Sequence, residues 1–525
     1  MARSSEGSNI EVELEKENSD SDDVPADPIR RDQWMSMLLE DEEDDLVGDE
    51  LCGFQNEWTR EPEEFVSQVK TQYNRLPGLK ITLPESVTPS AVFSRFFTEE
   101  LWMRLVTETN QYAEQTRSAT PMSPSGKWSP VTLEEMKCFI GLCLTMGILK
   151  LPSRRDYWRQ KKWLFQARLP EVMARDWFTM IWRYLHLQDN TDTSVDHSDK
   201  LWKVRGFLEY LTRRFQEVYE VDGHATVDES MVKFKGRLAF RQYLPLKPIK
   251  WGIKMWVMAE SSTGYCTNFQ VYSGHEGPAE KGLAHRVVMD LTRPYYGSHL
   301  SVYMDNFYSG VELYEEMKLK GLDACGTIRA GRKGLPPKPS VLPKPEYQVA
   351  QKDNLTFCAW QDTKVVMVLS NHHDPTATGK VHRRKHMKGV DLLDQMVGYY
   401  LFNHRSKKWW RRIFFFSLMV SCYNSYVVGR SAGWKAGSGY KDWVEDLAME
   451  LVTDVRVKSA AQHASRPAGA VHNVQVIFEK RKVCSVCSQK PGRAGATLYG
   501  CRQCNVPLHP KCLPEHRNSC FGLEI

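Results

Sequence analysis

The chain has no apolar run long enough to cross a bilayer, which takes roughly 20 residues. The best candidate, residues 413–428, is shorter and is broken by Ser417, Ser421, Asn424 and Ser425, so it reads as a buried core helix. The N-terminus is polar and acidic, which excludes a secretory signal. A soluble intracellular protein with no membrane partner is expected. Internal repeats are also lacking. Basic residues are scarce in residues 1–50, which hold 18 acidic and four basic side chains. Paired-cysteine patterning is lacking outside the C-terminus. Seven of the 13 cysteines are scattered through apolar contexts, and in a chain without a secretion signal these read as buried thiols rather than disulfides.

What is present is long and varied. At 525 residues the chain exceeds what one compact core supports, and three to four domains are expected. The net charge of +5 combines −14 over residues 1–50 with +19 over the remainder. An acidic tail on a basic body points to a body that binds a polyanion. Residues 1–60 lack hydrophobic periodicity and read as an acidic disordered tail, with Trp34, Met35, Met37, Leu38 and Leu39 as a small apolar island.

From 85 to 222 the period is helical, with Thr132 capping the run that contains Phe139, Ile140, Leu142 and Leu144. From 223 to 330 it shifts to short β-branched and aromatic runs, 254–260, 266–272 and 300–304. A helix over 309–320 follows, stopped by Gly321. Residues 335–345 hold five prolines and exclude regular structure. Two strand-like runs come next, and 331–374 reads as an insertion into the α/β unit. The unit resumes over 375–402, a second helical block spans 403–455, a linker 456–480, and a small Cys/His module 481–522.

Three aspartates stand at suggestive places. Asp228 closes the apolar run Ala225-Thr226-Val227, Asp305 ends the strand-like Leu300-Ser301-Val302-Tyr303-Met304, and Asp391 opens a helix on which Asp394 shares its face three residues on. Phosphodiester cleavage is largely a problem of charge, and two divalent ions held by converging carboxylates address it. Taken singly, each aspartate reads as a helix cap or turn former sooner than as a metal ligand, and spacing alone does not overturn that. Lys233, Lys235, Arg237, Arg241 and Lys247 follow the first aspartate and Arg383, Arg384 and Lys385 precede the third, which suits a metal site that receives a polyanion. Further basic candidates for DNA contact are Lys254, Arg329, Lys333 and the segment Arg405, Lys407, Lys408, Trp409, Arg411 and Arg412. In that segment the cations would neutralise phosphates and a tryptophan would stack on an unpaired base. The alternative is an amphipathic helix start with both tryptophans in the core.

At the C-terminus, Cys484-x2-Cys487, Cys501-x2-Cys504, His509-x2-Cys512 and His516-x3-Cys520 place eight ligand-type residues in 37 positions. Pairs two apart chelate Zn²⁺, and four ligands fill a tetrahedral site. Two structural zinc ions are expected, interleaved as Cys484, Cys487, His509 and Cys512 on one, and Cys501, Cys504, His516 and Cys520 on the other. A segment this short lacks a core and needs the metals to fold. Lys480, Arg481, Lys482, Lys490, Arg493, Arg502 and Arg517 give it a basic surface.

The motifs Thr226-Val227-Asp228-Glu229 with Phe234-Lys235-Gly236-Arg237, Tyr303-Met304-Asp305-Asn306, and Lys388-Gly389-Val390-Asp391 with Leu393-Asp394-Gln395-Met396 resemble, in that order, those of piggyBac transposases. Leu244-Pro245, Lys247-Pro248, Gly252-Ile253-Lys254 and Gly326-Thr327-Ile328-Arg329 agree. The resemblance covers roughly residues 85–450 and the terminal module. It implies a multidomain α/β protein: an RNase H-like catalytic core with an insertion, a flanking helical dimerisation and DNA-binding domain, and a C-terminal zinc module that recognises transposon ends. It implies catalytic Asp228, Asp305 and Asp391 on two Mg²⁺ ions, Asp394 as a fourth acidic residue, hairpin intermediates, joining to TTAA targets, a homodimer, and action in the nucleus. Two other readings stand beside it. One is a domesticated DNA- or chromatin-binding descendant without mobilising activity. The other is a PHD- or RING-like reader or ubiquitin ligase.

Overall fold

A computed structural model describes residues 58–68, 70–119, 128–159, 169–245, 247–274, 282–337, 347–361, 364–376, 386–464, 474–489, 495–501 and 506–513. Residues 1–57 of the acidic tail, its apolar island included, lie outside these residues, whereas its last three belong to the fold: Trp58 is buried in the core beneath the sheet and Thr59 bridges Gln351. The N-terminal helices are α1 (Pro89–Phe93), α2 (Glu99–Ala119), α3 (Leu133–Ile148), α4 (Arg175–Tyr184) and α5 (Arg205–Val218). Thr132 caps α3 as expected. Its hydroxyl accepts from the Glu135 N–H, and the Glu135 carboxylate accepts from the Thr132 N–H, a reciprocal capping box.

The α/β unit is one nine-stranded sheet. Its strands are β1 (His224–Lys233), β2 (Gln242–Tyr243), β3 (Trp251–Glu260), β4 (Cys266–Val271), β5 (Ser301–Met304), β6 (Asp323–Thr327), β7 (Tyr347–Lys352), β8 (Leu355–Gln361) and β9 (Val365–Ser370). The main path runs β2-β3-β1-β5-β6-β9-β8-β7, with β4 also on β3. β3 is antiparallel to both β1 and β4, whereas β1, β5 and β6 run parallel. Helices α6 (Leu283–Thr292) and α7 (Val311–Leu319) make the crossovers, and Gly321 ends α7 at φ 67°, where a residue without Cβ is unstrained.

Alternation along the strands separates two cores. On β3, Ile253, Met255, Val257 and Ala259 face a core shared with α8 (Gly389–Tyr400), α9 (Trp409–Ser431) and the N-terminal helices. Trp256 and Met258 face the opposite core with Val227, Val302, Met304 and the crossover helices.

The segment read as an insertion adds β7, β8 and β9 to the same sheet, β9 pairing antiparallel with β6. Its Phe357, Ala359 and Leu369 are buried in the same core as Val227 and Met304. The expected linker is shorter than the sequence suggested. Helix α10 (Tyr440–Ala464) runs through its start, because no proline or glycine breaks the run. Strand β10 (Val474–Val476), also inside it, pairs with Tyr499–Cys501 of the Cys/His module.

Candidate functional site

The last register pair between the parallel strands β1 and β5 is Val227 opposite Met304. Asp228 and Asp305 are the next residues on each. Val227 and Met304 face the crossover-helix core, so alternation turns both aspartates to the opposite face, where α8 lies. β1 continues to Lys233 while β5 stops, so Asp228 stands mid-strand at the edge where its parallel partner ends, not at a strand end.

Helix α8 supplies the other two carboxylates. Asp391 is exposed in its first turn and Asp394 follows on the same face. Ser230 of β1 donates its hydroxyl to Asp394 Oδ1, which ties helix to strand beside Asp228. Gly389 makes the approach possible. A Cβ there would stand 2.6 Å from the Glu260 carbonyl oxygen.

Burial pushes the Asp228 carboxyl up to about 8, with Glu229 and Asp305 adding to the rise and Lys247 opposing it. Burial also raises Asp394 to about 6, against the Ser230 bond and Lys247. Asp305 is raised by burial and by Glu229, while backbone bonds and Arg329 pull it down. Lys247 is the counter-ion, with Nζ 4.0 Å from Asp228 Oδ1 and 3.7 Å from Glu229 Oε1. Burial would lower its own pKa, but Asp228, Glu229, Asp394 and Asp391 outweigh that and raise it. Backbone N–H groups orient the first two aspartates: Glu229 N–H donates to Asp228 Oδ1 at 2.7 Å and Phe307 N–H to Asp305 Oδ1 at 2.9 Å.

The oxygen-only donor set, dense in anionic charge, fits a hard divalent cation. The hydroxyl and N–H groups that orient it are what such ligands require. The carboxylates stand apart. Among the described residues, no three of them bring their oxygens within 4.8 Å of one another, whereas Cys484, Cys487, His509 and Cys512 do.

In that Cys/His set, Cys487 Sγ is 3.4 Å from His509 Nδ1 and 3.6 Å from Cys512 Sγ. Tetrahedral zinc with bonds of about 2.0–2.3 Å implies ligand separations of about 3.5–3.8 Å, so the set fits. Cys501 is buried. Cys504, His516 and Cys520 lie outside the described residues, as do Arg383, Arg384, Lys385, Lys490, Arg493, Arg502 and Arg517.

The basic candidates divide. Arg237, Arg405 and Lys407 are exposed. Arg329 Nε donates to Asn306 Oδ1 at 3.3 Å and acts on Asp305. Lys333 is exposed and paired with Glu312 at 2.8 Å. Arg412 is half-buried and donates to Asn403.

Three candidates sit apart from the exposed ones. Lys254 lies on the face away from α8, over the Trp256 and Phe307 rings and beside Glu229, because alternation puts it with Trp256. Trp409 is half-buried, edge-on to Phe240, and packs against the core in which Trp410 is buried. Arg411 is 5% exposed, with its guanidinium 4.7 Å from the Trp182 ring centre. It reaches the surface only through a cavity wall.

The sequence reading placed no catalytic bet on Glu229, Ser230 or Lys247. Glu229 is held down, since Lys247 and Lys254 outweigh the effect of its burial. Tyr308 donates to it at 3.3 Å. Glu229 and Lys247 were visible within the quoted motifs, but nothing in spacing told that Lys247 would fold back 18 residues onto β1.

Comparison with known proteins agrees with the motif order. The chain is 26% identical over 473 residues to human PiggyBac transposable element-derived protein 3, covering 82% of this chain and 76% of that one. It is 24% identical over 382 residues to human PiggyBac transposable element-derived protein 5, covering 66% of this chain and 71% of that one. A piggyBac transposase solved by cryo-EM in a synaptic complex with hairpin DNA has the same fold, with a TM-score of 0.65 at 21% identity, over 83% of this chain and all of that one. The family model described as Transposase IS4 matches residues 88–426, and the chain therefore belongs to the piggyBac-type transposase family.

Proposed function

We propose that the protein is a DNA transposase that cuts transposon ends and joins them to TTAA targets, working as a homodimer in the nucleus. The observation that carries this reading is the placement on one face of the sheet of Asp228 and Asp305, one step past a parallel strand pair, with Asp391 and Asp394 of a helix bonded back to β1. The strand order β4-β3-β1-β5-β6, antiparallel then parallel, supports an RNase H-like core. Asp228, Asp305 and Asp391 would hold two Mg²⁺ ions. Bound there, such ions activate the attacking oxygen and neutralise the leaving oxygen of a phosphodiester.

The chain's own groups do the rest. Glu229 N–H and Phe307 N–H fix the directions of two carboxylates, and Ser230 fixes Asp394. Lys247 offsets the charge that four neighbouring carboxylates build up. Water attacks first and frees a 3′ hydroxyl. That hydroxyl attacks the opposite strand to form a hairpin, and after reopening it attacks target DNA. Each step is an in-line displacement at phosphorus, so one site serves them all. The Cys484, Cys487, His509 and Cys512 set would hold a structural Zn²⁺. A second ion on Cys501, Cys504, His516 and Cys520 would complete the module that reads transposon ends.

The test is a denaturing gel of labelled DNA carrying the element's own ends, incubated with protein and Mg²⁺. Nicked and hairpin products support the reading. Binding without any cut would favour a domesticated DNA-binding protein, the reading suggested by relatives named as transposable-element-derived.

A further inference from the structure

Beside α9, away from the carboxylates, a cavity of about 540 Å³ opens between three parts of the helical unit. Its walls include Tyr112, Arg183, Arg405, Lys407, Lys408 and Arg411, and no lining residue is acidic. Among the described residues, none of these five cations is in an ion pair with a carboxylate. Like charges gathered at one cavity repel, and the two less exposed of them, Lys408 and Arg411, register it. Burial, then Arg411, Lys203 and Arg183, pull the Lys408 ammonium down to about 8. Burial and Arg154 lower Arg411 to about 10. Lys408 also N-caps α9, a 23-residue helix with no side-chain cap, so the positive end of the helix dipole faces the same place.

Arg183, Arg405 and Lys407 are exposed at the rim, whereas Lys408 and Arg411 are held in position. Arg411 is 5% exposed, donates from one terminal nitrogen to the Arg183 carbonyl at 3.0 Å, and leaves its Nε without a partner. The Arg411 and Arg154 guanidinium carbons both lie over the Trp182 ring, 4.7 and 4.5 Å from its centre. Lys408 Nζ sits 4.6 Å from the Tyr112 ring centre and donates to its hydroxyl at 3.3 Å. A cationic cavity without an acidic lining residue, at the N-terminus of a long helix and with Lys408 and Arg411 fixed in its wall, has the chemistry of a phosphate seat.

We infer that this cavity captures one backbone phosphate of the DNA duplex away from the cut, and that Arg183, Arg405 and Lys408 thereby set the register of the DNA on the catalytic sheet. The inference rests on the transposase reading for its ligand, but not for its geometry. It keeps the expected phosphate contact by these cations, gives it a defined cavity, and does without base stacking by Trp409.

The test uses the full-length protein, Lys408→Met and Arg405→Gln, with two readouts. The first is thermal unfolding in sodium sulfate against sodium chloride of equal ionic strength. The second is the salt dependence of binding to a duplex carrying the element's ends. Expected results are a sulfate-specific rise in Tm for wild type only, and a weaker dependence of log K on log salt in each variant, by about one unit. DNA affinity should fall about 3- to 10-fold at 0.1 M salt. The free Lys408→Met protein should melt no lower than wild type, since it loses a buried charge among like charges. A lower Tm for Lys408→Met with an unchanged salt slope in Arg405→Gln would overturn the seat. Sulfate protection lost in both variants without any change in DNA binding would overturn the assignment to DNA. Cleavage scored separately with Asp305→Ala keeps that outcome distinct from failure of the transposase reading.

Discussion

Asp228 and Asp305 sit side by side on one face of the sheet because each is the first residue after the last parallel register pair, Val227 opposite Met304. Strand pairing thus brings together two carboxylates 77 positions apart in sequence. Helix α8 adds Asp391 and Asp394 to the same face through the Ser230 hydroxyl.

That hydroxyl predicts a local defect with a global readout. Ser230→Ala leaves Asp394 buried without its donor. A loss of about 1–3 kcal/mol is expected from an unsatisfied buried acceptor, seen as a lower Tm. Mg²⁺ affinity should fall as well, because α8 is freed from β1. Ser230→Thr should restore part of both.

Gly389 predicts a steric effect on the same helix. With the Glu260 carbonyl oxygen 2.6 Å from the position of a Cβ, Gly389→Ala must push the start of α8 off β3. Cleavage should fall at least about 10²-fold, the scale of a misplacement of about 1 Å, while DNA binding by the C-terminal module persists. Cleavage within about twofold of wild type would show that α8 is not held there.

The raised Asp228 carboxyl predicts a pH dependence. Its pKa of about 8 exceeds the unfolded value of about 3.9, so the folded state binds the proton more tightly. Ionisation then opposes folding, and this contribution is lost as pH rises from about 4 through 8. In EDTA, Asp228→Asn should melt above wild type at pH 8 by about 2 °C or more, with the gap shrinking towards pH 5. Mg²⁺ should close it at pH 8. A gap that does not vary with pH would contradict the buried, crowded carboxyl described here.

The Cys/His module predicts two separable unfolding events. Chelation of zinc, or Cys484→Ser, should abolish the low-temperature transition of the module and leave the main transition of the α/β and helical body unchanged. Metal analysis should find at least one zinc per chain, and two if Cys501, Cys504, His516 and Cys520 bind as expected.

Much of this was legible in the sequence, and for identifiable reasons. The runs at β3, β4 and β5 are dense in β-branched and aromatic residues, and Thr132 and Gly321 mark helix ends chemically. The Cys484, Cys487, His509 and Cys512 grouping followed from chelate spacing alone, and the fold brings those four together. Other features were hidden because they depend on pairing across the sheet. Nothing local tells that 347–370 would extend the same sheet, since edge hairpins and separate insertions share one pattern. Lys254 was placed by its charge, whereas its face is set by its register opposite Met231. Trp409, Trp410 and Arg411 read equally as a DNA-stacking surface or a core-facing helix start. Trp410 is buried and Trp409 half-buried against the same core, a packing that local sequence could not distinguish from a surface pair.

The most direct test of the central claim is Mg²⁺-dependent cutting of end-bearing DNA by wild type and Asp305→Ala, with binding measured on the same samples. The account predicts nicks and hairpins from wild type, none from Asp305→Ala, and equal DNA affinity for both in EDTA. Equal cutting by the two proteins would contradict it.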